Sequence, residues 1–144
     1  MVKRYINEIG SAWIRTITDP KIGNRLIISR ITWVEVLSAF ARLQREGNLA
    51  PNDIATAIRA FRYGMNTQYQ LVELDQTLIE TAGYMVQKHP LRAYDSVQLA
   101  SALKLQPAFA KIPAASFVFV SADTRLLTVA QAESLFTDNP NSHP

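Results

Sequence analysis

The sequence contains no cysteine, only two histidines and only five glycines, and each scarcity excludes a class of site. Without cysteine there are no disulfides, no thiolate nucleophile and no cysteine-bound zinc. His89 and His143 are too few and too far apart for a zinc-hydrolase motif. The glycines never take the spacing of a phosphate-binding loop, which argues against nucleotide hydrolysis of that type.

Charge and long apolar runs are scarce as well. Charged residues make up 19% of the chain and the net charge is only +3, a mildly basic balance that is compatible with an anionic polymer partner. Because no run is long enough for a membrane span and the amino terminus lacks a signal layout, we expect a cytoplasmic protein without membrane contact. With 48% hydrophobic residues, 144 residues suffice for one core. We expect a single domain over 1–138 and a flexible tail over 139–144.

Short apolar runs alternate with segments of helical periodicity along the chain. Strands are predicted at 26–28, 69–74, 117–120 and 136–137. Helices are predicted at the first five residues, 12–18, 31–45, 52–65, 75–88, 94–105 and 123–135. This alternation predicts an α/β fold of three layers, in which helices cover both faces of a mostly parallel central sheet.

Three carboxylates, Glu35, Asp95 and Asp123, each stand where a predicted helix begins, in segments far apart along the chain. Glu35 and Asp123 follow predicted strands. The loops that leave the carboxyl ends of strands in an open α/β sheet converge on one crevice, so we expect the three acids to meet there. Carboxylates are preferred ligands of divalent cations. The pattern therefore predicts a metal-dependent site that cleaves phosphodiesters.

Helix capping is the alternative explanation for each acid. Thr32 and Glu35 have the spacing of a capping box, and Asp95 and Asp123 stand at N-cap positions. Caps need not converge, so convergence separates the two explanations. Asp95 also shares a helix face with Leu99, and we therefore expect it to be partly buried. If the acids do meet without metal, at least one should have a raised pKa.

Two polar residues close to these acids are further candidates. Arg92 could bind a phosphate bidentately, although such an arginine is more commonly solvated or paired with a local acid. Ser121 could support Asp123 or a metal-bound water, although hydroxyls at strand ends commonly cap the next helix. We include Arg92 and Ser121 as candidate substrate-binding residues. His89, which precedes Pro90, is interpreted as a turn residue rather than a general base.

Three segments together resemble the PIN-domain ribonucleases of toxin–antitoxin systems, the VapC-like toxins. They are SRITWVEV at 29–36, LRAYDSVQLASAL at 91–103 and FVSADTRLL at 119–127. The resemblance runs over nearly the whole chain and implies that Glu35, Asp95 and Asp123 hold Mg²⁺ or Mn²⁺. It further implies RNA as the substrate, a cognate antitoxin as the inhibitor, and a homodimer. The implied reaction is in-line attack by a metal-activated water on an RNA phosphodiester.

The amino terminus departs from the pattern of this family, which begins with a central strand that ends in an aspartate. Met1 falls within the helix that follows that strand, so we expect the first strand and its acid to be missing, with a start codon further upstream. The shortened chain should then be less stable and essentially inactive on RNA. The alternative function is a catalytically inactive, truncated PIN scaffold that acts as a binding or dimerisation module. A more distant alternative is an unrelated α/β fold whose acids are only caps.

Overall fold

The computed structural model describes residues 1–112 and 116–143, which form two compact units. Unit 1 comprises Met1–Val72 together with His143, and unit 2 comprises Glu73–Ser142. Each unit combines helices with a pair of parallel strands, which confirms the predicted α/β class and the predicted parallel pairing. Within the described residues, no helix is both long enough and apolar enough to span a bilayer. The single domain over 1–138 stays a prediction.

Beside a 3₁₀ helix at Pro20–Ile22, unit 1 contains four α-helices and two strands in the part of the chain that the structure describes. In chain order they are α1 (Val2–Tyr5), α2 (Ser11–Ile17), β1 (Leu26–Ser29), α3 (Thr32–Arg45), α4 (Pro51–Thr67) and β2 (Tyr69–Val72). The strands β1 and β2 pair in parallel, with Leu26 opposite Tyr69. Helix α4 begins with Pro51, whose fixed φ suits the first helical position. Its buried residues Ile54, Phe61 and Met65 recur at helical spacing and pack into the core of the unit.

Unit 2 contains three α-helices and two strands in its described residues. They are α5 (Gln76–Lys88), α6 (Ala93–Phe109), β3 (Val118–Val120), α7 (Thr124–Ala132) and β4 (Phe136–Asp138). The strands β3 and β4 pair in parallel. The core beneath them is formed by residues from three helices and from the turn before β4. These are Met85, Leu99, Ala102, Leu126, Ala130 and Leu135.

Two predicted helix ends were wrong, and tertiary contacts explain both. Helix α6 continues through Pro107 to Phe109, because the Phe109 ring stacks on Phe117 at a centroid distance of 5.0 Å. Helix α7 ends at Ala132 rather than at Leu135. Ser134 takes a positive φ of 63°, which ends the helix and allows the Leu135 side chain to enter the core.

The segment predicted as a flexible tail makes defined contacts. Pro140–Ser142 form a 3₁₀ turn in which Pro140 is buried. The ring of His143 stacks on Trp13 within unit 1, with the centroids 4.2 Å apart and the planes nearly parallel. Residue 144, the end of the predicted tail, lies outside the described residues.

A hydrogen-bonded group of side chains ties α1 to the start of β2 in unit 1. The Arg4 guanidinium donates to the Tyr69 hydroxyl at 2.5 Å and to the Gln68 side-chain oxygen at 2.6 Å. The hydroxyls of Tyr5 and Tyr69 bond to each other. Burial, and then the bond to Tyr69, raise the pKa of Tyr5 well above its ordinary value, so Tyr5 stays neutral. Gly64 lies directly against this group.

The close approach of Gly64 to the Tyr69 ring predicts an asymmetry between two helical glycines. A Cβ at Gly64 would lie 2.8 Å from a Tyr69 ring carbon, and hydrogen bonds hold that ring in place. We expect Gly64→Ala to lower the free energy of unfolding by about 1–3 kcal/mol, the usual cost of overpacking. A Cβ at Gly83 in α5 would meet nothing within 4 Å. Gly83→Ala should therefore raise the free energy of unfolding by roughly 0.5–1 kcal/mol.

Urea denaturation of the two variants and of the unmodified chain measures both changes. Two alanine variants of equal stability would contradict the tight packing of Tyr69 against Gly64.

Candidate functional site

Asp95 lies inside the first turn of α6 and is not the helix cap. The helix begins at Ala93, and the N-cap residue, Arg92, forms no side-chain capping bond. The capping explanation for Asp95 was therefore wrong. Asp95 is half-buried, as expected from its place beside Leu99, which is fully buried. Among the described residues, its carboxyl group has no hydrogen bond or ion pair.

The pKa of Asp95 is raised above its ordinary value, mainly because burial disfavours the charged form. The negative charge of Asp123 is the second cause, so the two carboxyl groups lie within electrostatic reach of each other. The positive charges of Arg92 and Arg125 act in the opposite direction without cancelling the effect. A raised pKa at one acid agrees with what we expect of acids that meet, but burial is its larger cause and the meeting of all three acids stays a prediction. A cation beside both carboxylates would relieve both causes.

Asp123 is the N-cap of α7, and here the capping explanation is confirmed. Its Oδ1 accepts hydrogen bonds from the backbone N–H groups of Arg125 at 2.8 Å and Leu126 at 3.2 Å. Both bonds use the same oxygen, and they fix the orientation of the carboxylate. The second oxygen, Oδ2, accepts no hydrogen bond from any described residue. Capping and metal binding are therefore compatible at Asp123.

Ser121 stands at the carboxyl end of β3 and shapes the turn that carries Asp123. Its backbone N–H donates to the Asp138 carbonyl at 3.2 Å, and its Oγ accepts from the Asp123 backbone N–H at 3.2 Å. Ser121 thus positions Asp123 through the main chain. Asp138 ends β4 beside this turn and is half-buried. Asp138 was not among the candidates predicted from the sequence, although its place directly after the predicted strand 136–137 could have indicated it.

Glu35 belongs to unit 1 and lies in the first turn of α3. The N-cap of α3 is Ile31, without a side-chain bond, and Thr32 is already the first helical residue. The predicted capping box, which needs Thr32 as the cap, is therefore displaced by one residue and was wrong. Glu35 is half-buried between the buried residues Thr32 and Val36. Burial lowers the pKa of the Met1 amino group, whereas the nearby charge of Glu35 opposes that shift.

Unit 2 therefore brings together two of the three predicted acids, with two arginines near them. Arg92 and Arg125 are both exposed, and both charges act on Asp95. Arg125 was missed from the sequence, although it stands two residues after Asp123. Within neither unit do the described residues form a group of three or more histidine, aspartate or glutamate side chains that could hold a metal. The joint site of all three acids stays a prediction.

The pair formed by Asp95 and Asp123 has the chemistry that a small divalent cation requires. Mg²⁺ usually binds through one or two carboxylates and keeps several waters, which substrate phosphates can replace. Two carboxylates, one of them partly desolvated, meet that need. The exposed guanidinium groups of Arg92 and Arg125 are suitable donors to phosphate oxygens. The arrangement is thus suited to an anionic substrate that carries phosphate.

Comparison with known proteins gives two similar ribonucleases. The chain is 32% identical over 102 residues to Ribonuclease VapC45 of Mycobacterium tuberculosis strain CDC 1551 / Oshkosh. It has the same identity over the same length to Ribonuclease VapC49 of strain ATCC 25618 / H37Rv. Each match covers 71% of this chain and 69% of the relative. No protein-family model matches the chain.

The electrostatic pairing of the two aspartates predicts the effect of Asp123→Asn. Asparagine can still cap α7 but carries no charge, so the pKa of Asp95 should fall toward its ordinary value. Burial is the larger cause, so the fall should be incomplete. Asp75→Asn is the matched control, since Asp75 caps α5, bonds to Lys104 and does not contribute to the shift at Asp95. Carbon-13 NMR titration of the Asp95 carboxyl measures the change, and an unchanged pKa in Asp123→Asn would contradict the pairing.

Opposite pKa shifts at Asp95 and Asp75 predict opposite effects on stability. Because the pKa of Asp95 is raised, the metal-free folded protein binds more protons than the unfolded chain between the ordinary aspartate pKa and the raised pKa. The free energy of unfolding therefore falls as the pH rises through this range. Asp95→Asn should therefore stabilise the metal-free protein at neutral pH. At a pH below the ordinary aspartate pKa it should have no such effect, because Asp95 is then protonated in both the folded and the unfolded state. The bond to Lys104 lowers the pKa of Asp75, so Asp75→Asn should destabilise at neutral pH and lose this effect in acid.

Denaturant melts of both variants at neutral and acidic pH test these signs. Destabilisation by Asp95→Asn at neutral pH, in a buffer with EDTA, would show that Asp95 is a structural carboxylate.

Proposed function

Because the chain belongs to the VapC ribonuclease family, we propose that it is a metal-dependent endoribonuclease that hydrolyses RNA phosphodiester bonds. The observation that carries the metal dependence is the state of Asp95. This carboxyl group is half-buried, stands near a second carboxylate and has no hydrogen-bond partner among the described residues. A folded protein that keeps such a group gains from a bound cation.

The proposed ligands of Mg²⁺ or Mn²⁺ are Asp95 and Asp123. Glu35 is proposed as a further ligand, because its segment at 29–36 resembles the corresponding segment of the VapC-like toxins. Asp123 offers its Oδ2, because Oδ1 is occupied by the two capping bonds. Asp95 offers an unbonded carboxylate at the edge of the solvent. When bound, the ion would supply Lewis-acid stabilisation of phosphate charge and would make water more acidic. Ser121 keeps Asp123 in position through the turn after β3.

Arg92 and Arg125 are the proposed contacts to the RNA backbone at this site. Both guanidinium groups are exposed, and both lie close enough to Asp95 to lower its pKa. A guanidinium presents paired N–H donors that match two phosphate oxygens. Positive charge beside the acids also reduces the repulsion between the carboxylates and an incoming phosphate. The arginines would thus orient the substrate while the acids hold the ion.

The proposal includes the two protein partners that the family resemblance implies, a cognate antitoxin and a second copy of this chain. An apolar surface on unit 2 supports a protein partner. Val118 and Phe136 stand opposite each other in β3 and β4 and are exposed, Phe136 by 77%. Exposed apolar side chains that adjoin one another on a sheet are typical of surfaces that bind proteins.

Asp95→Asn tests the function in an RNA cleavage assay with added Mg²⁺, made on this chain and on the same chain extended in frame upstream of Met1. We expect cleavage to fall at least about 100-fold, because loss of even a group that only orients a metal ligand commonly costs 10–100-fold. Asp75→Asn makes the same chemical change at an exposed helix cap and should cleave as the unmodified chain does. EDTA should stop cleavage by the unmodified chain, and Mn²⁺ should restore it.

Metal binding is measured separately through the broadening of NMR signals by Mn²⁺. Signals from residues around Asp95 and Asp123 should broaden in the unmodified chain and in Asp75→Asn, and much less in Asp95→Asn. Cleavage that persists in EDTA would exclude metal dependence. An extended chain that binds Mn²⁺ at these residues but leaves RNA intact would contradict the ribonuclease proposal.

A further inference from the structure

Positive charge is concentrated in unit 1, although the chain as a whole is only mildly basic. Unit 1 carries ten lysine and arginine residues against five acids, whereas unit 2 carries five against seven. The proposed metal ligands of unit 2 therefore lie in a unit with net negative charge. An RNA chain is a polyanion, so most of its electrostatic attraction should come from unit 1.

Helix α4 presents a basic and aromatic face to solvent within unit 1. Arg59, Arg62, Tyr63 and Asn66 recur at the helical spacing of three and four residues, and all four are exposed. The Tyr63 side chain is 71% exposed. The residues that alternate with them, such as Phe61, are buried in the core. We call Arg59, Arg62 and Tyr63 the outer face of α4.

The two arginines of the outer face carry charges that no acid neutralises within the part of the chain that the structure describes. Arg59 donates to the Thr56 hydroxyl at 2.9 Å, and Arg62 lies 4.8 Å from the centroid of the Trp33 ring. Neither forms an ion pair with a described carboxylate. The contact with Trp33 limits the motion of the Arg62 side chain and leaves its N–H donors for a ligand.

Tyr63 adds an aromatic surface beside these two charges. Its ring is largely exposed, and its described hydrogen bond is made by the backbone carbonyl, which accepts from the Thr67 hydroxyl at 2.8 Å. Proteins that bind single strands combine basic groups along the backbone with aromatic rings on which bases stack. Tyr63 on the same helix face as the two arginines has this composition.

We propose that the outer face of α4 binds single-stranded RNA, with Arg59 and Arg62 on phosphates and Tyr63 stacked on a base. The choice of RNA rests on the proposed function, and none of the three residues of the outer face is a proposed metal ligand. Trp33, which holds Arg62, precedes Glu35 by two residues in α3. RNA on the outer face of α4 therefore passes close to the helix that carries Glu35.

The stacking contact is tested with the full chain and a fluorescent single-stranded RNA of about 10 nucleotides, within the usual site size of such surfaces. Affinity is measured by anisotropy in EDTA, so that cleavage does not interfere. Tyr63→Leu should weaken binding about tenfold or more, since stacking contributes roughly 1–3 kcal/mol per base. Tyr63→Phe keeps the ring and should bind as the unmodified chain does. Tyr84→Leu, at an exposed tyrosine of α5, is the matched control and should have no effect.

The phosphate contacts are tested through the salt dependence of the same binding. Arg59→Gln and Arg62→Gln should each reduce the slope of log affinity against log salt by about 0.7, the value for one phosphate contact on a single strand. Arg45→Gln makes the same change at the exposed carboxyl end of α3 and should leave the slope unchanged.

Three results would overturn the inference. The first is equal affinity of Tyr63→Leu and the unmodified chain, and the second is an unchanged slope in both arginine variants. The third is a Tyr63→Leu variant whose self-association changes in analytical ultracentrifugation while its RNA affinity does not. That result would show that the face binds a second copy of the chain. Cleavage with Mg²⁺ is measured separately, so failure of this surface and failure of the ribonuclease proposal give different results.

Discussion

The half-burial of the Asp95 carboxyl group beside Asp123 is the constraint on which the proposed chemistry depends. Burial disfavours its charged form, the neighbouring carboxylate disfavours it further, and no described donor compensates. Arg92 and Arg125 offset only part of this cost. Under the proposed function, a bound cation would recover the free energy that the folded chain loses at these two acids. The instability of the metal-free site and the proposed affinity for metal would then be two consequences of one arrangement.

Ordinary helix starts hold this arrangement in place. The capping bonds of Asp123 stabilise α7 and at the same time fix one carboxylate oxygen, so a structural requirement of the helix also orients a ligand. Asp95 is held differently, by its place in the first turn of α6 above the buried Leu99. In unit 1, α4 carries exposed positive charge, and the Arg62 guanidinium lies over the Trp33 ring. The proposed ion binding and the proposed RNA binding therefore rest on different elements, so mutation should alter them separately.

The sequence predicted the parts of the fold that depend on local pattern. Apolar runs located all four described strands, and the role of Asp123 as a cap was visible in its spacing to α7. The extension of α6 past Pro107 was not predictable, because it depends on the stacking of Phe109 on Phe117. The helix predicted at 94–105 already contained Asp95, but the cap was wrongly assigned to Asp95, because the true N-cap residue, Arg92, gives no capping signal. Such contacts form only when distant segments meet.

The central claim is that Asp95 and Asp123 bind one divalent cation. A crystal structure of the chain grown with Mn²⁺ and recorded at a wavelength where manganese scatters anomalously tests it most directly. We expect an anomalous peak within roughly 2.0–2.3 Å of a carboxylate oxygen from each of Asp95 and Asp123, a distance typical of oxygen ligands to such ions. A well-ordered structure with no peak between these two side chains, or with manganese bound only elsewhere, would contradict the claim.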